Sequence, residues 1–216
     1  MVKVCSTKET TVHLLLDRYQ QPSIKDIEHL KRGTILTQQE TFKLSSGDQK
    51  QRQKGCELLK NGMFKDELGK FMICKLEKEY YAPIVAGKTV YVSHGGNCIK
   101  LQTNAMGMLV VEKPEEFQAC HEEADTLICY HALREEGNII VRSSDTDVLV
   151  ILTSVVPKLP AESQILMDFG AGNNRRYINV TAISRHLEET KQGLSEALLA
   201  FHALTGCDAG IEIYVG

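Results

Sequence analysis

Five carboxylates flank one helix-strand unit within a short stretch of this chain, Cys120 to Leu152, CHEEADTLICYHALREEGNIIVRSSDTDVLVIL. Glu122, Glu123 and Asp125 open a predicted helix. Asp145 and Asp147 follow an apolar run, Asn138-Ile139-Ile140-Val141, that reads as a buried strand. Residues two apart in an extended turn, or staggered over the first turn of a helix, can aim several oxygens at one point. Like charges held that close repel one another, so the cluster calls for a counter-cation. Hard divalent ions such as Mg²⁺ or Mn²⁺ accept carboxylate oxygen and keep part of their water. In open α/β sheets the ligand crevice lies beyond the carboxyl ends of the strands, where Asp145 and Asp147 fall. Each half also has an ordinary reading: acids favour a helix N-terminus, and Ser143-Ser144-Asp145 suits a turn.

Such acids need elements to hold them, and the chain supplies strands and helices in alternation. Thr11 to Leu16, TVHLLL, reads as a short buried strand ending at Asp17. After Pro22, SIKDIEHLKRG reads as a helix, with Ser23 as N-cap, Asp26 three residues on and Gly33 at the stop. Ile24, Ile27 and Leu30 form its inner stripe, while Lys25 and Arg32 share another face. Residues 43–61 are polar, with Lys43, Lys50, Arg52, Lys54 and Lys60 against Asp48 and Glu57. They read either as a solvated loop or as a flexible basic segment suited to a phosphate backbone. Phe64, Leu68, Phe71, Met72 and Leu76 recur at helical spacing. Lys88 to Ser93 reads as a strand, His94 to Asn97 as a turn and Cys98 to Leu101 as a second strand. A helix over Glu122 to Glu136 is closed by Gly137. Val148 to Leu152 fits a buried helix turn or a strand equally well. Gln164 to Asp168 reads as a strand, and Gly170 to Arg176, GAGNNRR, as a hairpin or loop, with phosphate cradling the minor alternative. Helices over Val180 to Glu189 and Ser195 to Thr205 follow, and Gly206 leaves Asp208 just past the second. This alternation predicts an α/β fold with a mostly parallel central sheet flanked by helices.

The length of 216 residues suits a single domain over residues 1–216, large enough for a real core. A formal net charge of -3 excludes a globally basic nucleic-acid binder but hides any local basic patch. Seven cysteines with no CxxC pair argue against a zinc ribbon and against a secreted disulfide framework. Cys98 near His94, and Cys120 beside His121, lack the paired spacing of metal ligands. No apolar run reaches the ~18 residues of a membrane span, and the N-terminus has no signal-peptide pattern. The expectation is an intracellular protein, nuclear or cytoplasmic, with no membrane partner.

The order of these motifs resembles the PIN-like nucleases of the flap endonuclease and XPG type, in particular a divergent animal branch with HEEADT, DTDV and FHALTGCD-like signatures. The anchors are Asp17 with Lys25 and Arg32, Glu123-Ala124-Asp125, Asp145-Thr146-Asp147 and Thr205-Gly206-Cys207-Asp208. They are scattered over nearly the whole chain and are specific in order and spacing. The resemblance implies a three-layer PIN-like domain and a metal-dependent phosphodiesterase acting on DNA or RNA, branched or single-stranded. Asp17, Glu123 and Asp125 would hold one divalent ion, and Asp145, Asp147 and Asp208 a second. Lys25 and Arg32 would steer and stabilise the scissile phosphate. The basic loop, with Lys50, Arg52 and Lys54, lies where the family carries its arch over single-stranded substrate. Two such ions, Mg²⁺ or Mn²⁺, activate a water and stabilise the leaving oxygen of an in-line displacement.

Two departures accompany the resemblance. The family begins with an apolar strand ending in a further metal-binding Asp, whereas here only Met1 to Glu9 precedes the Thr11 strand, too short and polar for that strand. The chain also ends at Gly216, soon after Asp208, where the family continues into a duplex-gripping helical element. The expectation is a partial copy with its first strand missing. Two alternatives stay open: an inactive PIN-like module that binds nucleic acid or protein, and a DxD-type nucleotide-sugar transferase or phosphatase built on Asp145-Thr146-Asp147.

Overall fold

The computed structural model describes residues 2–6, 10–16, 42–46, 58–59, 61–119, 121 and 124–205. In chain order the strands and helices begin with β1 (Val2–Ser6), β2 (Thr10–Leu15), α1 (Gly62–Leu76) and a short α2 (Ala82–Val85). Strands β3 (Lys88–His94), β4 (Asn97–Thr103) and β5 (Leu109–Glu112) follow, then α3 (Ala124–Ala132), β6 (Asn138–Arg142) and α4 (Thr146–Val155). The last elements are β7 (Gln164–Phe169), β8 (Arg176–Asn179), α5 (Val180–Thr190) and α6 (Leu194–Thr205). The fold is α/β, with mixed sheet flanked by helices. The chain divides into two compact units, Met1–Leu15, Gly87–Val90 and Asp125–Gly216 in one, Leu16–Ala86 and Tyr91–Ala124 in the other.

In the first unit the strands run in the order β2-β1-β6-β7-β8. Connection length decides their directions. Residues 7–9 are too few for the crossover a parallel pair requires, so β1 and β2 pair antiparallel with Val4 opposite His13. The link from β6 to β7 carries α4, a helical crossover, and these two strands pair parallel with Arg142 opposite Asp168. The turn after β7 is tight, and β8 returns antiparallel. A Cβ at Gly170, whose φ is +81°, would lie 2.5 Å from the carbonyl oxygen of Asn174, so this turn needs glycine. Among the registered pairings only β6 with β7 is parallel; β1 with β2, β1 with β6, β4 with β5 and β7 with β8 are antiparallel. The sheet is therefore mixed where the alternation of elements predicted mostly parallel pairing. The sequence expectation for residues 1–9 also changes: Val2–Ser6 is a strand, placed between β2 and β6, where backbone hydrogen bonding on both edges outweighs its polar side chains.

The core of this unit follows the strand period. Ile139 and Val141 of β6, and Ile165 and Met167 of β7, are fully buried while their intervening neighbours are partly exposed. Val148 and Leu152 of α4, four apart, and Val180 of α5 are also fully buried. Each such side chain stabilises by about 1.5–3 kcal/mol. Helices α4, α5 and α6 pack on one another, and α5 lies against β7. The run Val148 to Leu152 is thus helical, started by a capping side chain described below.

In the second unit, Asn61 Oδ1 accepts the Phe64 amide at 3.1 Å and starts α1, which buries Phe64. Gly95 and Gly96, with φ of +62° and +88°, make the two-residue turn between β3 and β4. Strand β5, absent from the sequence reading, pairs antiparallel with β4, Leu101 opposite Val111. Asn104 Oδ1 shapes its turn by accepting the amides of Met106 and Met108. Among the described residues no helix is long and apolar enough to cross a membrane.

Candidate functional site

The β6–α4 junction carries two of the sequence-predicted acids. Strand β6 ends at Arg142, and Ser143 Oγ accepts the Asp145 amide at 3.2 Å, turning the chain toward the helix. Asp145 has extended backbone, φ -95° and ψ 130°, and its Oδ1 accepts the Asp147 amide at 2.9 Å. It is the N-cap of α4, a position aspartate favours because its oxygen satisfies an amide that has no partner within the helix. Asp147 lies in the first turn, where the macrodipole favours negative charge. Both acids thus have a local structural reason to be there. Asp145 is exposed, and the Asp147 side chain is 42% exposed, so both retain access to solvent and to a ligand.

Asp147 has a second partner that sequence reasoning missed. His202 Nε2 of α6 lies 2.9 Å from Asp147 Oδ1 and donates to it, tying α6 to the first turn of α4. The same bond fixes the tautomer, with the proton on Nε2. The only sequence signal was the position of His202 within FHALTGCD, and nothing there named its partner.

Asp125 occupies the first turn of α3 and is partly buried. Burial pushes the Cys129 thiol up to about 12, and the Asp125 carboxylate one turn earlier adds to that shift. Among the described residues no group of three or more His, Cys, Asp or Glu side chains is arranged to hold a metal ion. Asp17, Lys25, Arg32, Lys50, Arg52, Lys54, Glu123 and Asp208 lie outside the described residues. The structure therefore joins Asp145 to Asp147 and Asp147 to His202, and places Asp125 at a different helix start.

A further charged cluster takes in Arg175 of GAGNNRR, which the sequence offers as a minor phosphate-cradling alternative, but no sequence pattern names its partners Asp168 and Arg142. Asp168, last but one in β7 and nearly buried, receives Arg175 through two bonds, Nε to Oδ1 and Nη2 to Oδ2, both 2.8 Å. Arg142 Nη1 donates to the same Oδ1 at 2.9 Å and to the Asp168 carbonyl at 3.1 Å. The Arg175 guanidinium, aided by Arg142, holds the Asp168 carboxyl below its ordinary range, and Asp168 in turn raises Arg175. The parallel register sets Arg142 directly beside Asp168, a neighbour relation that no local pattern reveals.

Two buried histidines form another polar group. His13 Nδ1 of β2 and His131 Nδ1 of α3 are 2.8 Å apart, and His13 Nε2 is 3.0 Å from Glu135 Oε1. One proton serves the Nδ1 pair, and Nε2–H of His13 donates to the carboxylate. Both rings are fully buried, so the group reads as core polar packing between β2 and α3.

Comparison with known proteins returned no match: no family model, curated protein or solved structure matches the sequence.

Proposed function

We propose that this chain is a metal-dependent nuclease with a PIN-like, three-layer domain, hydrolysing phosphodiester bonds of DNA or RNA with two Mg²⁺ or Mn²⁺ ions. The observation that carries the reading is the β6–α4 junction. Asp145 and Asp147 stand together past the carboxyl end of β6, the strand whose neighbour β7 runs parallel to it. That is the position at which open α/β sheets present ligand-binding side chains. The donor set suits hard cations, since carboxylate oxygens are what Mg²⁺ and Mn²⁺ take.

In this reading Asp145 and Asp147 bind one ion with Asp208, and Asp17, Glu123 and Asp125 bind the other. Lys25 and Arg32 neutralise the scissile phosphate, and Lys50, Arg52 and Lys54 contact the nucleic-acid backbone. His202 orients the Asp147 carboxylate by holding Oδ1, which leaves Oδ2 for a metal. When bound, the ions supply Lewis-acid activation of the attacking water and of the leaving oxygen.

One feature favours a second reading, an inactive module that binds nucleic acid or protein: β1, Val2-Lys3-Val4-Cys5-Ser6, carries no carboxylate. The experiment that separates the readings is Mn²⁺ titration followed by electron paramagnetic resonance of the free ion. The nuclease reading expects tight binding by the wild type and at least tenfold weaker binding by Asp147→Asn. Wild-type protein that leaves all Mn²⁺ free would remove the metal-dependent reading.

A further inference from the structure

At the end of the sheet formed by β6, β7 and β8, two guanidiniums and one aromatic ring lie around one carboxylate, and on the opposite face a third guanidinium lies over a second ring. Arg142 and Arg175 both donate to Asp168, as described above. Arg175 Nη2 also donates to Tyr177 Oη at 3.2 Å, and its guanidinium carbon lies 5.8 Å from the Tyr177 ring centre. Arg176 stands over the Phe169 ring at 5.3 Å, and among the described residues it has no carboxylate partner. Tyr177, on a strand that is last in the sheet order, is 60% exposed, and the side chain of Arg175, just before that strand, is 53% exposed.

Asp168 accounts for only part of this charge. Two cations, Arg142 and Arg175, share that one anion, so this face keeps a positive surplus although the chain as a whole is negative. The buried carboxylate also fixes the orientation of Arg175. Its Nε and Nη2 are committed to Asp168, and the Nη1 donors stay outside that pair. A rigid guanidinium with uncommitted donors beside an exposed aromatic ring suits a polyanion that also presents flat π-faces. Single-stranded nucleic acid has both, phosphates for the cations and unstacked bases for the ring. A duplex offers phosphates but keeps its base faces stacked, so it could not use Tyr177.

We propose that the β8 edge is a docking platform for single-stranded nucleic acid, with Arg175 on a phosphate and Tyr177 stacked on a base. It rests on the nucleic-acid part of the preceding reading and not on its metal chemistry. Tyr177 and Arg176 are exposed, so replacing them leaves the core intact, whereas Asp168 is a structural group and a poorer probe.

The test is fluorescence anisotropy of an end-labelled oligothymidylate in EDTA over a series of KCl concentrations, with a duplex of the same length as competitor. The wild type is expected to bind the single strand with an affinity that falls with salt, and the duplex to compete weakly. Tyr177→Ala should weaken binding at least fivefold, the lower end of what one base–aromatic stack contributes. Tyr177→Phe, which keeps the ring, should bind like wild type. Arg176→Ala, which alters the opposite face of β8 beside Phe169, should bind like wild type. Circular dichroism confirms that each variant is folded. No binding by the wild type, or wild-type affinity for folded Tyr177→Ala, overturns the platform. Intact binding in EDTA with no Mn²⁺-dependent cleavage keeps the platform and removes the nuclease reading alone.

Discussion

Asp145 is asked to do two things, to cap α4 and to hold a metal ion, and two substitutions separate them. Asp145→Ala removes the acceptor of the 2.9 Å bond from the Asp147 amide and leaves a first-turn donor without its side-chain partner. Loss of an N-cap costs about 1 kcal/mol, within a range of about 0.5–2. For a chain of this size that lowers Tm by about 2–4 °C. Asp145→Asn keeps an oxygen in the same place, and asparagine caps as well as aspartate. It forgoes only the charge at the positive end of the helix, about 0.3–1 kcal/mol. Thermal unfolding in EDTA should therefore order the stabilities as wild type, Asn, Ala, with Asn nearer the wild type. Repeated with Mn²⁺ at about a hundred times its Kd, the wild type should gain about 2.7 kcal/mol by mass action. Both variants should lose most of that gain, because an amide oxygen is a weaker ligand than a carboxylate. An Asn variant as unstable as Ala in EDTA would refute the capping argument. An Asn variant stabilised by Mn²⁺ as much as wild type would refute the ligand role.

Three other outcomes are expected. Gly69 is buried in α1, and a Cβ there would meet the His94 ring at 2.7 Å, so Gly69→Ala should destabilise by about 1–3 kcal/mol in urea unfolding, although alanine in a helix interior ordinarily gains about 1. His13→Leu removes the donor to Glu135 and leaves a partly buried carboxylate without it, at a cost of about 1–3 kcal/mol; a ΔΔG near zero would show that the His13–Glu135 contact is not stabilising. Acid should destabilise the fold through Asp168 and Glu188, held low by Arg175 and by the Ser195 hydroxyl respectively. A carboxyl lowered on folding stabilises above its unfolded pKa and loses that contribution as pH falls through its folded value. The contribution of these two carboxyls should thus be constant above about pH 5 and fall below it, and Asp168→Asn should reduce the slope of Tm against pH in that acid range.

Local chemistry was readable where a short pattern and a single cause coincide. The strand over Asn138–Arg142 and the turn at Gly95-Gly96 follow from period two and from glycine's positive φ, whereas the helix expected to run to Glu136 and be closed by Gly137 stops at Ala132. Asp145 and Asp147 were legible for the same reason, as acids just past an apolar strand. Pairings between distant segments were not legible. Arg142 meets Asp168 only because β6 and β7 run parallel in one register, and His202 meets Asp147 only because α6 packs on α4. Strand direction was misjudged because alternating strands and helices predict crossovers. Here the 7–9 link and the Gly170–Arg175 turn are too short to make one. Val2–Ser6 is not legible as a strand from its own weak composition, because its two sheet neighbours supply the hydrogen bonds that make it one.

The most direct test is cleavage of end-labelled flapped, single-stranded and duplex DNA, and of single-stranded RNA, by the purified chain in Mn²⁺, with Asp147→Asn beside it. Metal-dependent cleavage that Asp147→Asn reduces by at least two orders of magnitude, while its melting temperature stays close to wild type, is the expected result. Folded wild-type protein that binds Mn²⁺ and nucleic acid but cuts none of these substrates would contradict it and leave a binding module in its place.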